Sequence, residues 1–509
     1  MITRIANQRI VGEGNRFARA LDAAGVGAGE GVAALLPNVP EMLFAYRGAS
    51  WSGRSWTPIC WHWKPDEVRA VVEDSEARAF IAHATFAEAA AAACAGVPER
   101  ARFCVGGELP GFRRWEEVAE QSDAPLLHPI AGDTLLYTSG TTGRPKGVLR
   151  SRRPPQPPPG PTGAAGRAML ERAAGPAARG PHLVAAPLYH SGPNTYCEGA
   201  VLLGADIVLL DRWDEREFLR AVEREAAVST FLVPTHFVRL LRVAEGERRG
   251  FDLSSLRLVV HGAAPVAIDV KRRMIDWLGP ILFEFYGGTE GGGVGIGSQD
   301  WLAHPGSVGR PGPGLEVHVL DAEGRTCAPG VPGDVYFRSA TRFEYKGDPA
   351  KTAEGRRGDL FTLGDVGTLD AEGYLYLCDR RADVIISGGV NVYPAQVEAA
   401  LLAHAAVADC CVVGVPHPEW GEEVRALVQR DPECAEPDAE LAMRLVAHCR
   451  ERLPGYAVPR RVDFAPRIER TETGKLARRA IRERVRAAVR SAAGDATLAS
   501  DLEHERSPR

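Results

Sequence analysis

The feature of this chain that most constrains its fold is a regular alternation of short apolar runs with segments of helical spacing. The apolar runs that resemble strands lie at residues 31–37, 206–211, 229–234 and 256–262. Helical patterns separate them, for example at residues 15–24 and from Glu41 onward. Because such alternation is typical of parallel strands joined by crossover helices, we predict an α/β fold of layered β-sheets and helices.

The pattern changes after residue 379, and the length of the chain agrees with a second domain. At 509 residues, the chain exceeds what one hydrophobic core usually holds. The final part has two strand-like runs, a helix from residue 438 and another strand near residue 462, which predicts a small α+β domain. We therefore predict an N-terminal domain over residues 1–379, a C-terminal domain over 380–490, and a polar, disordered tail over 491–509.

Composition argues against several classes of partner. A formal net charge of -5 leaves no overall basic surface for nucleic acid. The N-terminus lacks the apolar stretch of a signal peptide, and no segment reaches the ~18 consecutive apolar residues of a membrane span. The ten cysteines are scattered without CxxC pairs, which is typical of reduced thiols. We predict a cytoplasmic protein with no nucleic-acid partner and no membrane span.

The segment LLYTSGTTGRPKGV, residues 135–148, predicts a polyphosphate site. Its glycines allow backbone N–H groups to turn inward around an anion, its hydroxyls add donors, and its lysine supplies a point charge. It is not a Walker A loop, because Pro145 stands where that motif requires glycine, so a kinase or GTPase site is excluded here. The residues assigned to the phosphates are Thr138, Ser139, Gly140, Thr141, Thr142 and Lys146.

With this loop, the chain resembles the adenylate-forming (AMP-binding) superfamily, and within it the acyl-CoA synthetase and fatty-acid–CoA ligase branch. The resemblance runs from about residue 18 to about residue 482, with the family's motifs in order. It implies a large N-terminal domain, a small mobile C-terminal domain and a hinge near residues 380–383. It also implies a reaction in which a carboxylic acid attacks ATP to form an acyl-adenylate, and a thiol then displaces AMP. The expected substrates and cofactors are ATP, Mg²⁺ and coenzyme A.

The segment YGGTEGGG, residues 286–293, carries the first part of the nucleotide site that the resemblance implies. Tyr286 is expected to stack on adenine beside Gly287. Thr289 is expected to bond the α-phosphate, and Glu290 to hold Mg²⁺, so both are catalytic candidates. The chemistry agrees, because magnesium prefers carboxylate and phosphate oxygens.

The segment HGAAP and the pair Asp365 and Arg380 complete this implied site. Small residues after a strand allow a flat base to lie against the backbone, and the resemblance assigns adenine to Gly262, Ala263 and Ala264. Asp365 and Arg380 lie across a predicted β-hairpin, and the family uses this pair for the ribose. A carboxylate can accept hydrogen bonds from both vicinal hydroxyls, and a guanidinium can donate to the same sugar.

By resemblance, the C-terminal part supplies residues for both half-reactions. Lys475, in TETGKLAR, matches the family's catalytic lysine, whose charge offsets the repulsion between the carboxylate and the α-phosphate. Gly388 and Gly389 match the glycine pair that lines the pantetheine tunnel after the small domain rotates. Relatives usually carry Asp or Lys where this chain has Ala382, and we hypothesise an altered balance between the half-reactions, with one of them weak.

The positions that hold the acyl group in the family predict a roomy apolar pocket. They contain no carboxylate placed to bind an α-ammonium, so an amino-acid substrate is disfavoured on desolvation grounds. We expect a bulky or long apolar acid of a fatty, aromatic or polycyclic kind. His190 is also counted among the catalytic candidates, as a gate or pocket wall. The pocket positions are His190, Ser191, Gly192, Val233, Thr235, Phe237 and Gly288.

Alternative functions stay open at the level of sequence. The acceptor thiol is coenzyme A or the phosphopantetheine of a carrier protein, and the enzyme performs both half-reactions or one. A protein that binds acyl-nucleotides without catalysis is an alternative from another class, although the intact Lys146, Glu290, Asp365, Arg380 and Lys475 argue against it. A luciferase-like oxygenase has support from fold alone. The sequence fixes neither the particular acid nor whether the protein forms a homodimer.

Overall fold

A computed structural model describes residues 2–138, 145–152, 163–339, 341–470 and 475–489 of the protein. Its helices are α1 (Asn7–Ala23), α2 (Pro40–Ser50), α3 (Pro65–Asp74), α4 (Ala87–Ala93), α5 (Gly163–Ala174), α6 (Ser191–Leu203), α7 (Glu215–Glu225), α8 (Pro234–Arg242), α9 (Glu245–Arg248), α10 (Ile268–Leu278), α11 (Ser298–Ala303), α12 (Pro349–Glu354), α13 (Pro394–Leu402) and α14 (Asp438–Arg450). Residues 478–489 are helical as well.

The strands of the described residues follow the chain from β1 near the N-terminus to β26 in the last part. They are β1 (Ile2–Ile5), β2 (Gly31–Leu35), β3 (Ser55–Pro58), β4 (Ala77–His83), β5 (Arg102–Val105), β6 (Arg113–Arg114), β7 (Leu136–Thr138), β8 (Lys146–Arg152), β9 (His182–Val184), β10 (Ile207–Leu210), β11 (Ser229–Leu232), β12 (Leu258–Gly262), β13 (Leu282–Gly288), β14 (Gly291–Gly297), β15 (Arg310–Pro311), β16 (Leu315–Leu320), β17 (Gly333–Ser339), β18 (Thr341–Tyr345), β19 (Arg356–Arg357), β20 (Leu360–Leu369), β21 (Leu375–Arg380), β22 (Ile385–Ser387), β23 (Val390–Val392), β24 (Val407–His417), β25 (Gly421–Arg430) and β26 (Arg461–Phe464).

Two largely parallel sheets form the body of the N-terminal domain. The smaller has the order β3–β2–β4–β5–β6 with parallel neighbours throughout. The larger has the order β1–β10–β9–β11–β12–β13–β14–β15 and is parallel from β10 to β13. Every residue of β10 is apolar and buried, as expected for a parallel strand covered on both faces. The predicted α/β architecture is confirmed.

The carboxyl ends of β12 and β13 lie side by side in the larger sheet. Their register pairs His261 with Glu284 and Gly262 with Phe285. The HGAAP segment therefore leaves β12 next to the point where Tyr286 ends the parallel part of β13. Ligands of such sheets bind outside the carboxyl ends of parallel strands, so this edge is where a nucleotide site is expected.

Antiparallel strands pack beside this edge. One sheet has the order β18–β8–β7, and another has the order β16–β17–β20–β19 with β21 paired to β20. A shared hydrophobic cluster that includes Val148, Val294, Phe337 and Phe361 joins these sheets to β14, and Tyr286 packs against it. This cluster therefore holds β8, which carries Lys146, and β20, which carries Asp365, next to the carboxyl ends of β12 and β13.

The C-terminal domain has its own sheet and its own core. Its strand order is β23–β22–β25–β24, with β26 parallel to β25. Apolar residues of α13 and α14, such as Val397 and Leu445, pack on this sheet in a separate cluster. Strand β21 ends at Arg380 and β22 begins at Ile385, so residues 381–384 connect the two sheets.

The predicted elements are found with shifts at their ends. The apolar runs at 31–37, 206–211, 229–234 and 256–262 contain β2, β10, β11 and β12. Helix α1, however, begins at Asn7 and not near residue 15. Glycine disfavours a helix interior by about 1 kcal/mol, but a Cβ at Gly14 would lie 2.5 Å from Arg47 Cγ of α2. Close packing of α1 on α2 therefore outweighs local propensity.

Several sequence predictions fall on residues that the structure does not describe. These are the loop residues Ser139, Gly140, Thr141 and Thr142 and the tail at 491–509. The cysteines in the described part of the chain are free thiols. Of the helices there, none is both long and apolar enough to cross a membrane.

Candidate active site

Residues 262–264 at the end of β12 form a short backbone segment with small side chains, the shelf, next to β13. A Cβ atom at Gly262 would lie 2.4 Å from the carbonyl oxygen of Phe285, so no side chain fits between the two strands there. Ala263 has a φ of 71°, in the left-handed region that residues other than glycine seldom adopt. The small side chains of Ala263 and Ala264 leave the backbone open to a flat ring, which suits the adenine contact predicted for them.

Asp365 and Arg380 face each other across the β20–β21 hairpin, so the predicted hairpin is confirmed. Arg380 Nε lies 3.6 Å from Asp365 Oδ1, and the Tyr286 hydroxyl donates a 2.5 Å hydrogen bond to Asp365 Oδ2. Burial raises the pKa of Asp365, whereas Arg380 and Tyr286 lower it. Burial also raises the pKa of Tyr286, so its hydroxyl stays protonated and donates. The residues predicted for adenine and ribose thus form one connected unit.

Strands β8 and β18 bring polar groups to the other end of this unit. The Tyr345 hydroxyl, at the end of β18, donates a 2.8 Å hydrogen bond to Glu290 Oε1. Lys146 Nζ lies 5.6 Å from the centroid of the Tyr345 ring, a cation–π distance. Arg150 Nε donates a 2.7 Å hydrogen bond to the carbonyl oxygen of Thr289. Three predicted residues, Lys146, Thr289 and Glu290, are therefore close together. Thr138 ends β7, where it is the strand partner of Lys146.

Tyr345 and Arg150 contact predicted site residues but were not predicted themselves. Arg150 lies four residues after Lys146 on one strand, and residues two or four apart share a face of a strand, so a signal for it existed. Tyr345 lies in TRFEY, which carries no motif. Only the antiparallel pairing of β18 with β8 brings it to the site.

Lys475, from the C-terminal part of the chain, is electrostatically linked to this group of residues. Its side chain keeps solvent access, yet the protein around it lowers its pKa, and so does the positive charge of Arg380. The carboxylates of Asp365 and Glu290 act in the opposite direction. The charge of Lys475 therefore interacts with a residue predicted for the ribose, Asp365, and with the residue predicted for the metal, Glu290.

His190 is a neutral residue next to this cation. Burial, followed by the charges of Lys475 and His62, lowers the pKa of His190 to about 3. Its Nε2 is buried and has no hydrogen-bond partner in the described part of the chain. Its ring centroid lies 4.2 Å from that of Tyr189, on which Trp61 packs edge-on at 4.5 Å. A neutral imidazole in an aromatic setting suits a pocket wall or gate and not a general base.

Other predicted acyl positions lie close to larger side chains. A Cβ at Gly192 would lie 2.7 Å from the ring of Phe231. One at Gly288 would lie 2.6 Å from Leu363 Cδ2 and 2.7 Å from Glu290 Oε2. Glycine is therefore required at both places unless these side chains move. Ser191 and Thr235 are half-buried, and Val233 is buried.

Phe237 does not face an open pocket. Its side chain is fully buried on the inner face of α8, and its ring lies 4.9 Å from that of His261. A side chain without exposed surface cannot contact a ligand unless its neighbours move. In this arrangement Phe237 belongs to the core behind the predicted acyl positions.

Gly388 and Gly389 form the turn between β22 and β23. Their φ angles of 59° and 80° are left-handed, which favours glycine. The Gly388 amide donates a 2.8 Å hydrogen bond to the carbonyl oxygen of Trp420. Within the described residues, nothing lies within 4 Å of a Cβ built at either glycine. In this arrangement Lys475 interacts electrostatically with the carboxylates predicted for the ribose and the metal, while the glycine turn is open.

Ala382 lies in the connection between the two domains and is held from the C-terminal helix. Arg482 Nη1 donates a 3.0 Å hydrogen bond to the Ala382 carbonyl oxygen and lies 3.6 Å from Asp383 Oδ1. Arg478 lies 3.5 Å from Asp383 Oδ2 and forms a 2.5 Å ion pair with Glu398. The connection is thus tied to the helix that follows Lys475.

The donor set around Glu290 fits a magnesium ion bound together with phosphates. In the ranges that the structure describes, no group of three or more His, Cys, Asp or Glu side chains could hold a metal ion. Mg²⁺ does not need such a cage, because it is usually held through one or two carboxylates, phosphate oxygens and water. Tyr345 occupies Oε1 of Glu290, so Oε2 is the oxygen available to a metal.

The fold and site define an adenylate-forming enzyme, in which a cation from a small domain meets a nucleotide site on a large one. A family model described as AMP-binding enzyme matches residues 12–344, and one described as AMP-binding enzyme C-terminal domain matches residues 396–475. The chain belongs to this AMP-binding enzyme family, in its acyl-CoA synthetase branch, and is an AMP-forming acid–thiol ligase.

Similar proteins extend over nearly the full chain. A feruloyl-CoA synthase from an Amycolatopsis species is 34% identical over 477 residues, which cover 92% of this chain and 91% of that protein. The fatty acid–[acyl-carrier-protein] ligase ScoC of Streptomyces coeruleorubidus is 31% identical, with coverage of 93% and 90%. The structure of the anthranilate CoA ligase AuaEII with anthranoyl-AMP has a TM-score of 0.82 at 25% identity and covers 94% and 92% of the two chains.

Proposed function

We propose that the protein joins a bulky or long apolar carboxylic acid to coenzyme A in an ATP-dependent reaction that passes through an acyl-adenylate. One observation carries the proposal: the carboxylates of Asp365 and Glu290 both raise the pKa of Lys475, and Tyr286 bonds the same Asp365. In the first step a carboxylate must approach a phosphate, and the two anions repel each other. A cation between them offsets this repulsion.

The proposed first half-reaction needs positioning and charge neutralisation. Asp365 and Arg380 hold the ribose, and this fixes the α-phosphate relative to Lys475. A carboxylate oxygen of the acid forms a bond to the α-phosphorus, and pyrophosphate leaves with the electron pair of the broken P–O bond. Two unit charges ~4 Å apart interact by roughly 4 kcal/mol at an effective dielectric constant of 20, so one well-placed ammonium changes the barrier strongly.

Glu290 is the residue proposed to hold magnesium. When bound with the phosphates, Mg²⁺ supplies charge neutralisation for the leaving pyrophosphate. The 2.8 Å hydrogen bond from Tyr345 fixes the orientation of the Glu290 carboxylate. Lys146 lies beside Tyr345 and is the cation proposed for the outer phosphates.

The second half-reaction is proposed to follow a rotation of the C-terminal domain. We place the domain boundary after residue 379 and the hinge at residues 380–383, where β21 ends and β22 has not begun. Rotation there removes Lys475 from the nucleotide site and brings in the turn of Gly388 and Gly389. The thiol of coenzyme A then attacks the acyl carbon, and AMP leaves.

The acyl group is proposed to lie near His190, with Ser191, Gly192, Val233, Thr235 and Gly288 around it. The neutral, half-buried imidazole of His190 and the aromatic pair Tyr189 and Trp61 offer no charge that would bind an acid with a polar tail. Relatives of the chain include a feruloyl-CoA synthase and a fatty acid–[acyl-carrier-protein] ligase, whose acids are aromatic or aliphatic. Both support an apolar acid.

A panel assay tests the proposal. The purified protein is supplied with ATP, Mg²⁺ and fatty, aryl or polycyclic acids, with and without coenzyme A, and AMP, pyrophosphate and acyl-thioester are followed. We expect thioester and AMP in equal amounts for at least one apolar acid, and much less of both products with Lys475→Met. Nucleotide binding without turnover on any acid would instead favour a protein that only binds acyl-nucleotides.

A carrier protein is the second candidate acceptor, because ScoC, at 31% identity, is a ligase for an acyl carrier protein. The same assay separates the two acceptors. Adenylate that accumulates with coenzyme A present, and that disappears when a carrier protein bearing phosphopantetheine is added, would identify the carrier as acceptor. A carrier without the phosphopantetheine arm is the matched control.

A further inference from the structure

A buried ion pair that the proposed reaction does not use lies behind the adenine shelf. Lys271 Nζ of α10 lies 2.5 Å from Glu284 Oε2 of β13, with side-chain exposures of 0% and 8%. Burial lowers the pKa of Lys271 and raises that of Glu284, while the attraction between them opposes both shifts. Burying two charges is costly, so a pair in this place calls for a physical reason.

The pair connects the elements that carry the adenine shelf. Glu284 lies two residues before Tyr286 on β13, and its strand partner His261 lies one residue before Gly262 on β12. Lys271 belongs to α10, which begins at Ile268, four residues after Ala264 of the shelf. One ion pair therefore ties α10, at the far end of the segment, to the strand that presents Tyr286.

His261 completes this buried cluster. It is fully buried, and within the described residues neither of its ring nitrogens has a hydrogen-bond partner. Its Nε2 lies 4.0 Å from Glu284 Oε2. Burial and then the charge of Lys271 lower its pKa well below the usual value, so it is neutral. Glu284 is thereby compensated by Lys271 and not by His261.

The shelf itself needs support from outside. Ala263 has a φ of 71°, which is unfavourable for an alanine, and Gly262 approaches the Phe285 carbonyl so closely that no Cβ fits. Strained backbone of this kind persists only where the surrounding structure holds it in place. The Lys271–Glu284 pair is a polar contact between α10 and β13 across this segment.

We propose that Lys271 and Glu284 are positioning residues for the adenine end of the nucleotide site. The pair fixes the spacing between the shelf at residues 262–264 and Tyr286, with neutral His261 between them. This inference rests on the proposed function, since it assigns the shelf to adenine. It predicts that breaking the pair weakens nucleotide binding more than it weakens binding of the acid.

The test uses AMP binding by calorimetry and the separate KM values for ATP and for the acid. We expect Lys271→Met to weaken AMP binding and raise the KM for ATP by about tenfold, with the KM of the acid changed by less than about twofold. Met274→Ala is the control, because Met274 is fully buried one turn further along α10 but lies in the apolar core. It should lower the melting temperature and leave AMP affinity unchanged.

Opposite pH dependences of two variants distinguish positioning from general destabilisation. The titratable groups that face one another here are Lys271 of α10, Glu284 of β13 and His261 of β12, while Phe237 of α8 and Trp301 of α11 add only rings. In Lys271→Met the unpaired carboxylate is neutralised as pH falls, so AMP affinity should recover toward low pH. In Glu284→Gln the unpaired ammonium loses its proton as pH rises, so affinity should recover toward high pH.

Each outcome of this series decides the proposal. Affinity losses with opposite pH trends in the two variants support it. Unchanged AMP affinity in both variants overturns it, as does an equal loss in Met274→Ala. If Lys271→Met does not fold, Glu284→Gln alone decides, because a pH-independent affinity equal to that of the wild type overturns the proposal. Failure of the wild-type protein to bind AMP at all would refute the proposed function itself, and the inference with it.

Discussion

The hydroxyl of Tyr286 donates a 2.5 Å hydrogen bond to the carboxylate of Asp365, and so joins the end of β13 to strand β20. Arg380 approaches the other oxygen of that carboxylate at 3.6 Å. Asp365 is therefore held from two sides with both oxygens oriented. A carboxylate fixed in this way is prepared to accept hydrogen bonds from two neighbouring hydroxyls without losing further freedom.

Tyr286→Phe tests this relationship, because it keeps the ring and removes only the hydroxyl. A hydrogen bond to a charged group is worth about 1.5–3 kcal/mol, so we expect the KM for ATP to rise roughly tenfold or more while the KM for the acid changes little. Steady-state rates with each substrate varied in turn measure both values. Tyr376→Phe is the matched control, since the Tyr376 hydroxyl contacts Asp370 at 3.3 Å on the same hairpin. Equal effects of the two variants would contradict the role given to Tyr286.

Lys475→Met is expected to separate the half-reactions. Removal of the cation leaves the repulsion between the acid and the α-phosphate uncompensated, so adenylate formation should fall by roughly 100- to 1,000-fold. Thioester formation from a supplied acyl-adenylate should stay within about threefold of the wild type, because Lys475 has no part in that step. Single-turnover assays of each step provide the measurement.

Arg479→Met is the control for Lys475→Met. Arg479 lies four residues later, is exposed and forms a 3.0 Å ion pair with Glu483. Its removal should leave both half-reactions unchanged. A Lys475→Met variant that loses both steps equally would indicate that the lysine supports the domain and not the first reaction.

Local patterns in the sequence were sufficient for several central strands and one hairpin of the large domain. Strands β2, β10, β11 and β12 are continuous apolar runs, and such runs mark buried strands without any knowledge of their partners. The facing positions of Asp365 and Arg380 also follow from a local feature, because a short hairpin fixes which residues lie opposite each other.

Contacts between distant parts of the chain could not be predicted in the same way. Tyr345 reaches Glu290 only because β18 pairs with β8, and nothing in TRFEY indicates that pairing. The Lys271–Glu284 pair needs the helix α10 to lie behind the sheet, which depends on tertiary packing. Phe237 was predicted to line the acyl pocket, but its burial depends on how α8 turns against β12. Sequence patterns indicate which residue types a site needs, whereas packing decides which side chains reach it.

The stability of the protein should fall when the pH is lowered below neutral. Burial lowers the pKa of His182 to about 4 and those of His190 and His236 to about 3. The unfolded chain binds protons at these residues near pH ~6.5 and the folded protein does not, so stability is complete above that pH and is lost as the pH falls. Burial also lowers the pKa of His261 well below its usual value. Four such residues give a slope of up to about 5 kcal/mol per pH unit. Raised carboxyl pKa values, such as about 6 for Asp379, oppose part of it.

His236→Phe should reduce this slope by about a quarter, because it removes one of the four histidines whose pKa is strongly lowered by burial. The ring of His236 stacks on Trp213 with centroids 3.7 Å apart, and a phenyl ring can keep that contact. Denaturant unfolding at several pH values between about 5 and 7 gives the slope. Trp213→Phe disturbs the same stack without removing a titrating group, so it should lower stability equally at all these pH values.

Ala382→Asp tests the departure at the hinge. Arg482 holds the Ala382 carbonyl and, with Arg478, faces Asp383, so two arginines already surround this connection. A second carboxylate next to them changes the electrostatic free energy of the arrangement that delivers Lys475, and a change of about 1 kcal/mol alters a rate or a population about fivefold. We expect the ratio of the two half-reaction rates to change by at least about threefold, with the KM for ATP unchanged. Ala403→Asp, at the end of α13, places the same charge on the small domain away from the hinge and should leave the ratio as it is. If both variants behave like the wild type in single-turnover assays of adenylate and thioester formation, alanine at position 382 has no influence on the balance of the two steps.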